Sequence, residues 1–379
     1  MQALGVYIHI PFCVQKCVYC DFLSVPATKE KQRTYLEALK KEIEQEARNY
    51  TDYIIETVFF GGGTPSILEA EEIAECLTIL KNNYQISDKA EITIEMNPGT
   101  ATLEKLQGLR AAGVNRLSIG LQSAQNEELK LLGRIHIWED FLQTYEMART
   151  AGFTNINIDL MSALPGQSCE TWEDTLQKVL ALKPEHISAY SLIIEEGTVL
   201  YDQLDQYPKI PTEEDDRLMY QRTKELLRVH GYERYEISNY ALKGFESRHN
   251  TIYWTRKAYV GFGLGASSMV ADRRWNNTTD MPTYLASDTQ RKENMQSLSR
   301  QECMEEYMFL GLRMMQGVSA YGFYQKFGKT MQEVYGVVID KWIKEGYLQQ
   351  KGDNLSLTDK GIDVSNVILA DFLIDDVEE

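Results

Sequence analysis

The chain places three of its six cysteines, Cys13, Cys17 and Cys20, within eight residues of the stretch YIHIPFCVQKCVYCDF that begins at Tyr7. The C-x3-C-x2-C spacing puts three thiolates on one short loop. Three cannot all pair with one another, and they are too few to close a tetrahedral zinc site. They suit an iron–sulfur cluster, whose irons are bound by cysteine thiolates and usually take four. With only three, one iron keeps an open position, and an open position is where chemistry happens. A zinc knuckle borrowing His9 is the alternative. It is disfavoured because His9 sits in an alternating strand, with Val6, Ile8 and Ile10 on one face, that then meets Pro11. A disulfide framework ranks lower still. Cys76, Cys169 and Cys303 are scattered and read as small buried hydrophobes.

The elements that must hold this loop alternate strand with helix. Val6–Ile10 reads as the first strand, followed by a helix over 29–49. Ile54–Phe60 is a second strand, ending in Gly61-Gly62-Gly63-Thr64-Pro65-Ser66, and a Glu-rich helix over 69–83 follows. Ala90–Met96 is a third, closed by the turn Asn97-Pro98-Gly99. Helix 102–112, strand Arg116–Leu121, two short helices flanking Arg134, strand Asn155–Leu160, helix 169–182 and strand His186–Ile194 complete the half. Six βα units predict a parallel sheet covered by helices and fit an α/β partial barrel, a fold in which chemistry gathers at the C-terminal strand ends. The polar residues fall there. The cysteine loop follows strand one and the glycine run strand two; Glu95 ends strand three, Gln122 and Ser123 follow strand four, and Asp159 sits near the end of strand five. The glycines let backbone approach a ligand closely, with amides able to donate to an anion; a tight turn is the plainer reading. Glu95 shares a face with Glu91 and Thr93. If helices cover the outside, that face must point inward or sit at the rim; a surface carboxylate is the alternative.

From Glu195 to about Arg300 the pattern is less regular, with a helix over 212–230, a strand over 232–238, and the stretches RHNTIYW and GFGLGASS. The latter lacks the third glycine of a dinucleotide fingerprint and reads as a tight turn near the barrel mouth. His249, taken alone, reads as a satisfied core histidine. Beyond 298 the chain is mostly helical and resembles a winged helix, with a hairpin turning at Gly352-Asp353-Asn354. The expected division is 1–195, 196–297 and 298–379. The net charge of −17 argues against binding nucleic acid through phosphate neutralisation. Residues 300–379 hold eight Lys and Arg against fourteen Asp and Glu, so the winged-helix section suits packing or partner docking rather than DNA. No apolar run reaches the ~20 residues of a transmembrane segment, and the first residues lack a signal-peptide pattern. A cytoplasmic location is expected, with transient membrane contact left open.

The cysteine motif after YIHIPFC resembles the radical S-adenosylmethionine (SAM) superfamily, and more narrowly its oxygen-independent coproporphyrinogen oxidase group and the heme chaperone HemW branch within it. The resemblance implies a partial (β/α)6 TIM-type radical-SAM barrel with a [4Fe-4S] cluster on Cys13, Cys17 and Cys20, and SAM on the open iron. It carries SAM contact to Tyr7, Tyr19, Gly63, Thr64, Pro65, Glu95, Gln122, Arg134 and Asp159, the last toward the ribose hydroxyls. His249-Asn250-x-x-Tyr253-Trp254 matches the H-N-x-x-Y-W motif of the HemW branch, which is associated there with heme binding. Implied partners are heme, target hemoproteins such as respiratory cytochromes, and a one-electron donor of flavodoxin or ferredoxin type. The implied role is heme insertion into hemoproteins, with reductive SAM cleavage as the scaffold's chemistry. Two features depart from the oxidases. Their fourth cysteine, two residues after the third, is Phe22 here, and only six residues precede Tyr7 where they carry a longer arm.

Overall fold

Apolar and polar residues alternate along the first six strands, and the protein buries both halves of the alternation. The computed structural model describes residues 1–286 and 291–374; the acidic tail at 375–379 lies outside them. Strands β1 (Gln2–Ile10), β2 (Tyr53–Gly62), β3 (Ile86–Met96), β4 (Arg116–Gln122), β5 (Ile156–Ser162) and β6 (His186–Ser191) run parallel in chain order. One phase of the alternation (Val6, Ile8, Val58, Phe60, Ile92, Ile94, Leu117, Ile119, Ile158) packs into the main apolar core with the helices. Those helices are α1 (Lys29–Glu46), α2 (Ala70–Asn83), α3 (Leu103–Ala112), α4 (Asn126–Leu131), α5 (Trp138–Thr150) and α6 (Cys169–Leu182). The hydroxyls of Thr28, Thr102 and Ser168 cap α1, α3 and α6. The other phase faces the lumen. The pairing register carries it around the barrel as a polar row: Glu95 lies opposite Ser118, Ser118 opposite Asn157, and Asn157 opposite His186.

Two expectations need correction. The second helix flanking Arg134 is not short: α5 runs thirteen residues because Phe141, Tyr145 and Ala148 recur at helical spacing and bury. The strand expected over 232–238 is broken. Helices α7 (Val199–Asp202) and α8 (Glu213–Val229) lead to a two-residue β7 (Glu233–Arg234), and the chain folds back as β8 (Asn239–Ala241), antiparallel to β6. The Glu236 carboxylate makes the turn by accepting from the Ser238 amide and the Asn239 side chain.

The sheet extends past both ends of the six. After α9 (Arg248–Trp254), β9 (Tyr259–Phe262) joins β1 in parallel, and β10 (Ser267–Val270), β11 (Arg273–Asn277) and β12 (Lys292–Ser297) continue antiparallel, with α10 (Met281–Ala286) before the last. The glycine-rich turn joins β9 to β10. At Gly263 (φ +99°) a side chain would stand 2.5 Å from the Tyr35 hydroxyl, so glycine is required. A second apolar cluster belongs to α11 (Arg300–Gly311), α12 (Ala320–Phe327), α13 (Met331–Lys344) and the elements after them. The hairpin β14 (Leu348–Lys351) and β15 (Asn354–Leu357) forms the wing, with the two-residue β13 (Val318–Ser319) beside it, and α14 (Asp359–Ile362) and α15 (Ser365–Ala370) follow.

Candidate functional site

Pro11 ends β1, and the cysteine loop that follows is pinned on several sides. The Cys13 amide donates to the Val25 carbonyl and the Val25 amide to the Pro11 carbonyl, closing the base. Val18 ties the tip to two neighbouring segments, donating to the Leu132 carbonyl and accepting from the Leu200 amide. Cys13 is buried, Cys17 and Cys20 are half-buried, and all three are free thiols. Burial pushes the Cys20 thiol up, and the neighbouring Cys17 and Cys13 add to this by charge repulsion while Lys16 and the Phe22 amide oppose it. Donors meet two of the sulfurs: Thr64 Oγ1 donates to Cys13 Sγ at 3.4 Å, and Arg134 Nη1 to Cys17 Sγ at 3.5 Å. His9 has no nitrogen to spare. Its Nε2 bonds the Leu23 carbonyl at 2.9 Å and its Nδ1 the Tyr7 hydroxyl at 3.0 Å.

The glycine run allows close approach of chain to chain. A side chain at Gly61 would meet the Phe59 and Tyr7 rings at 2.9 Å, at Gly62 (φ +113°) the His9 ring at 2.4 Å, and at Gly63 the Phe12 carbonyl at 2.6 Å. The expectation that these amides bind an anion from outside is corrected: Gly62 donates to Glu95 Oε2 at 3.1 Å, Gly63 to the Ile10 carbonyl and Thr64 to the Phe12 carbonyl. Pro65 begins a 3-10 turn, Pro65–Ile67. Asn97 bridges the strand ends, donating to Thr64 Oγ1 at 2.9 Å and accepting from Arg134 Nη2 at 2.8 Å. Arg134 also reaches the Gly120 carbonyl, keeps a buried Nε with no partner, and lies beside Tyr19. Gln122 ends β4 at a register shift with φ +71°, a conformation that non-glycine residues hold only under local constraint. Ser123 turns away, its hydroxyl donating to Glu128 at 2.6 Å.

Below this mouth lies a lumen cavity of about 190 Å3, lined among others by Tyr7, Phe59, Glu95, Arg116, Asp159 and Tyr190. Asp159 accepts from Ser118 Oγ at 2.9 Å and Asn157 Nδ2 at 2.8 Å. The RHNTIYW stretch is α9, and it has two faces. His249, Asn250 and Tyr253 line the same cavity. Trp254 is directed elsewhere, with the Arg313 guanidinium 4.5 Å from its ring. His249 is 1% exposed, and both ring nitrogens are engaged, Nδ1 with Thr57 Oγ1 at 2.7 Å and Nε2 with the Tyr253 hydroxyl at 2.8 Å. In this arrangement it offers no free nitrogen to a metal.

The Radical SAM superfamily matches residues 7–179, and the HemN C-terminal domain matches residues 298–364. The protein named heme chaperone HemW in Lactococcus lactis is 37% identical over 375 residues, covering 98% of each chain. That of Bacillus subtilis is 35% identical, over 97% of this chain and 99% of its own. The chain belongs to the heme chaperone HemW family. Its fold is also that of the radical SAM enzyme coproporphyrinogen III oxidase (HemN) from Escherichia coli, with a TM-score of 0.86, 25% identity, and coverage of 98% of this chain and 90% of that one.

As in the radical SAM superfamily at large, membership of the HemW family implies a [4Fe-4S] cluster and SAM. The residues fit both groups. Hydrogen-bond donors at Cys13 and Cys17 suit sulfurs that carry negative charge. The unpaired Arg134 Nε and the buried Glu95 and Asp159 supply a donor and two acceptors for a polar ligand. Reading strand ends alone missed Asn97, Arg116, Ser118, Asn157 and Tyr190. The alternation in β4 and β5 held the signal, since Arg116 and Ser118 share a phase, as do Asn157 and Asp159.

Glu95 also sets a pH dependence. Burial pushes its carboxyl up to about 8; the Asp159 charge adds to this, and the Gly62 amide and Arg116 oppose it. Between the ordinary carboxyl range and about 8 the folded protein therefore holds a proton that the unfolded chain has released. Stability present at lower pH is lost as pH rises through that window, by up to about 1.4 kcal/mol per pH unit. Urea melts at about pH 5 and about pH 8 should show a smaller loss for Glu95→Gln than for the wild type. An equal loss in both would refute the assignment.

Proposed function

We propose that this chain is a heme chaperone, which binds heme and passes it to apo-hemoproteins, on a scaffold that holds a [4Fe-4S] cluster through Cys13, Cys17 and Cys20. In this reading Tyr7, Tyr19, Gly63, Thr64, Pro65, Glu95, Gln122, Arg134 and Asp159 hold SAM at the mouth and upper lumen. The reading is carried by one observation: end-to-end identity of 37% with a protein named as a heme chaperone. The three-part division at 195/196 and 297/298 belongs to the same proposal, as does a one-electron donor for the cluster. The resemblance ties His249, Asn250, Tyr253 and Trp254 to heme. The paired nitrogens of His249 support a task other than ligating iron.

Bound, the cluster and SAM supply one-electron reductive chemistry; the chain's own part is to orient the ligand and exclude water. The test is transfer. Hemin-loaded protein mixed with an apo-hemoprotein should yield the holo-spectrum faster than free hemin does, and failure of the wild type to bind hemin saturably would end the proposal. Anaerobic incubation with coproporphyrinogen III, SAM and reductant should give no catalytic vinyl product. Turnover would make the chain an oxidase instead.

A further inference from the structure

The HNxxYW helix forms the floor of the lumen. The Glu91 carboxylate on β3 accepts from the amides of Arg248 and His249 at 3.2 and 3.0 Å, anchoring the start of α9 inside the barrel. Ile252 fills the space that Gly5 leaves on β1, where a side chain would stand 2.8 Å from its Cδ1. The His249 ring stacks on Phe59, with centroids 5.0 Å apart, and bridges Thr57 to Tyr253. Tyr253 is held in turn by Tyr259, edge to face at 4.7 Å. Tyr253 and Glu95 line the same cavity. Burial keeps the His249 imidazole neutral, so it carries one N–H and gives its two hydroxyl partners one donor and one acceptor.

We propose that His249 is a positioning residue for the SAM site: held by Thr57 and Phe59, it fixes the Tyr253 hydroxyl on the cavity floor facing Glu95 and Asp159. Iron ligation would cost His249 one of its two hydrogen bonds. The inference rests on the reading that SAM occupies the mouth and lumen, and it gives the motif a role on the cofactor side.

The test uses the full chain with its cluster reconstituted anaerobically, measuring labelled SAM by equilibrium dialysis and hemin by absorbance titration. Tyr253→Phe and His249→Ala should weaken SAM roughly three- to tenfold, the scale of one lost hydrogen bond. His249→Gln, whose amide can still bridge two hydroxyls, should recover most of that loss. The spin state of bound hemin should be unchanged in all three. SAM affinity unaffected by Tyr253→Phe would overturn the proposal, as would loss of hemin binding, or a low-spin to high-spin change, in His249→Gln. Should His249→Ala fail to fold, the other two variants carry both readouts. A wild type that binds SAM but not hemin would sink the chaperone reading and leave the SAM comparison intact.

Discussion

Alanine at Cys13, Cys17 or Cys20 is expected to strip the protein of its iron and acid-labile sulfide, from about four of each per chain to less than one. The three thiols sit on one pinned loop, where burial and the neighbouring Cys17 and Cys13 push the Cys20 thiol up, so its ionised form needs a cation to offset it. Two of them receive hydrogen bonds from Thr64 and Arg134. His9 cannot substitute for a lost cysteine while its nitrogens are tied to Leu23 and Tyr7. Cys76→Ala and Cys169→Ala serve as controls and should keep the full complement. Anaerobic reconstitution followed by iron and sulfide analysis decides the matter. A full cluster in Cys20→Ala would break the assignment, and one zinc with no sulfide in the wild type would replace it.

The second large effect concerns stability. Arg256, with 1% of its side chain exposed, donates to Glu306 at 2.6 Å, to Asp272 at 3.0 Å and to Cys303 Sγ at 3.2 Å, joining the segment after α9 to helix α11. Arg274 reaches the same Glu306 carboxylate. Removing one partner of such a pair strands the other charge in a poorly solvated place, at a cost of about 3–5 kcal/mol. Glu306→Ala is therefore expected to lower the denaturation midpoint sharply. The double variant Arg256→Met/Glu306→Leu should recover much of the loss, because the charges it leaves without these partners, Asp272 and Arg274, are partly exposed to water. A single variant as stable as the wild type would show that water reaches the cluster.

The barrel could be read from the sequence because its strands alternate cleanly and its helices carry apolar residues at helical spacing. The EITIEM stretch, for example, pins β3 and the inward face of Glu95 together. The edge strands β9 to β12 were not legible as strands. They are four to six residues long, and β9 takes its register from β1, some 250 residues away, a pairing that no local pattern encodes. Helix α9 was equally hidden. Its His, Asn, Thr, Tyr and Trp are mediocre helix formers, and what makes it helical is the Ser247 cap and the distant Glu91 carboxylate. Asn97 reads locally as a turn residue. Its bridge between Thr64 and Arg134 exists only because three strand ends converge.

Two turns of helix, α9, thus have one side in the lumen cavity and the other against the C-terminal section, where Trp254 lies under Arg313 and Arg256 follows. A short rigid rod fixed at both sides acts as a lever. If occupancy of the lumen tilts it, the surface beyond Arg313 changes its affinity for whatever docks there. Thermodynamic reciprocity then requires the docked molecule to alter the lumen's affinity by the same factor. Binding in the cavity and docking beyond Arg313 would accordingly be a single equilibrium, read from opposite ends of the same seven residues.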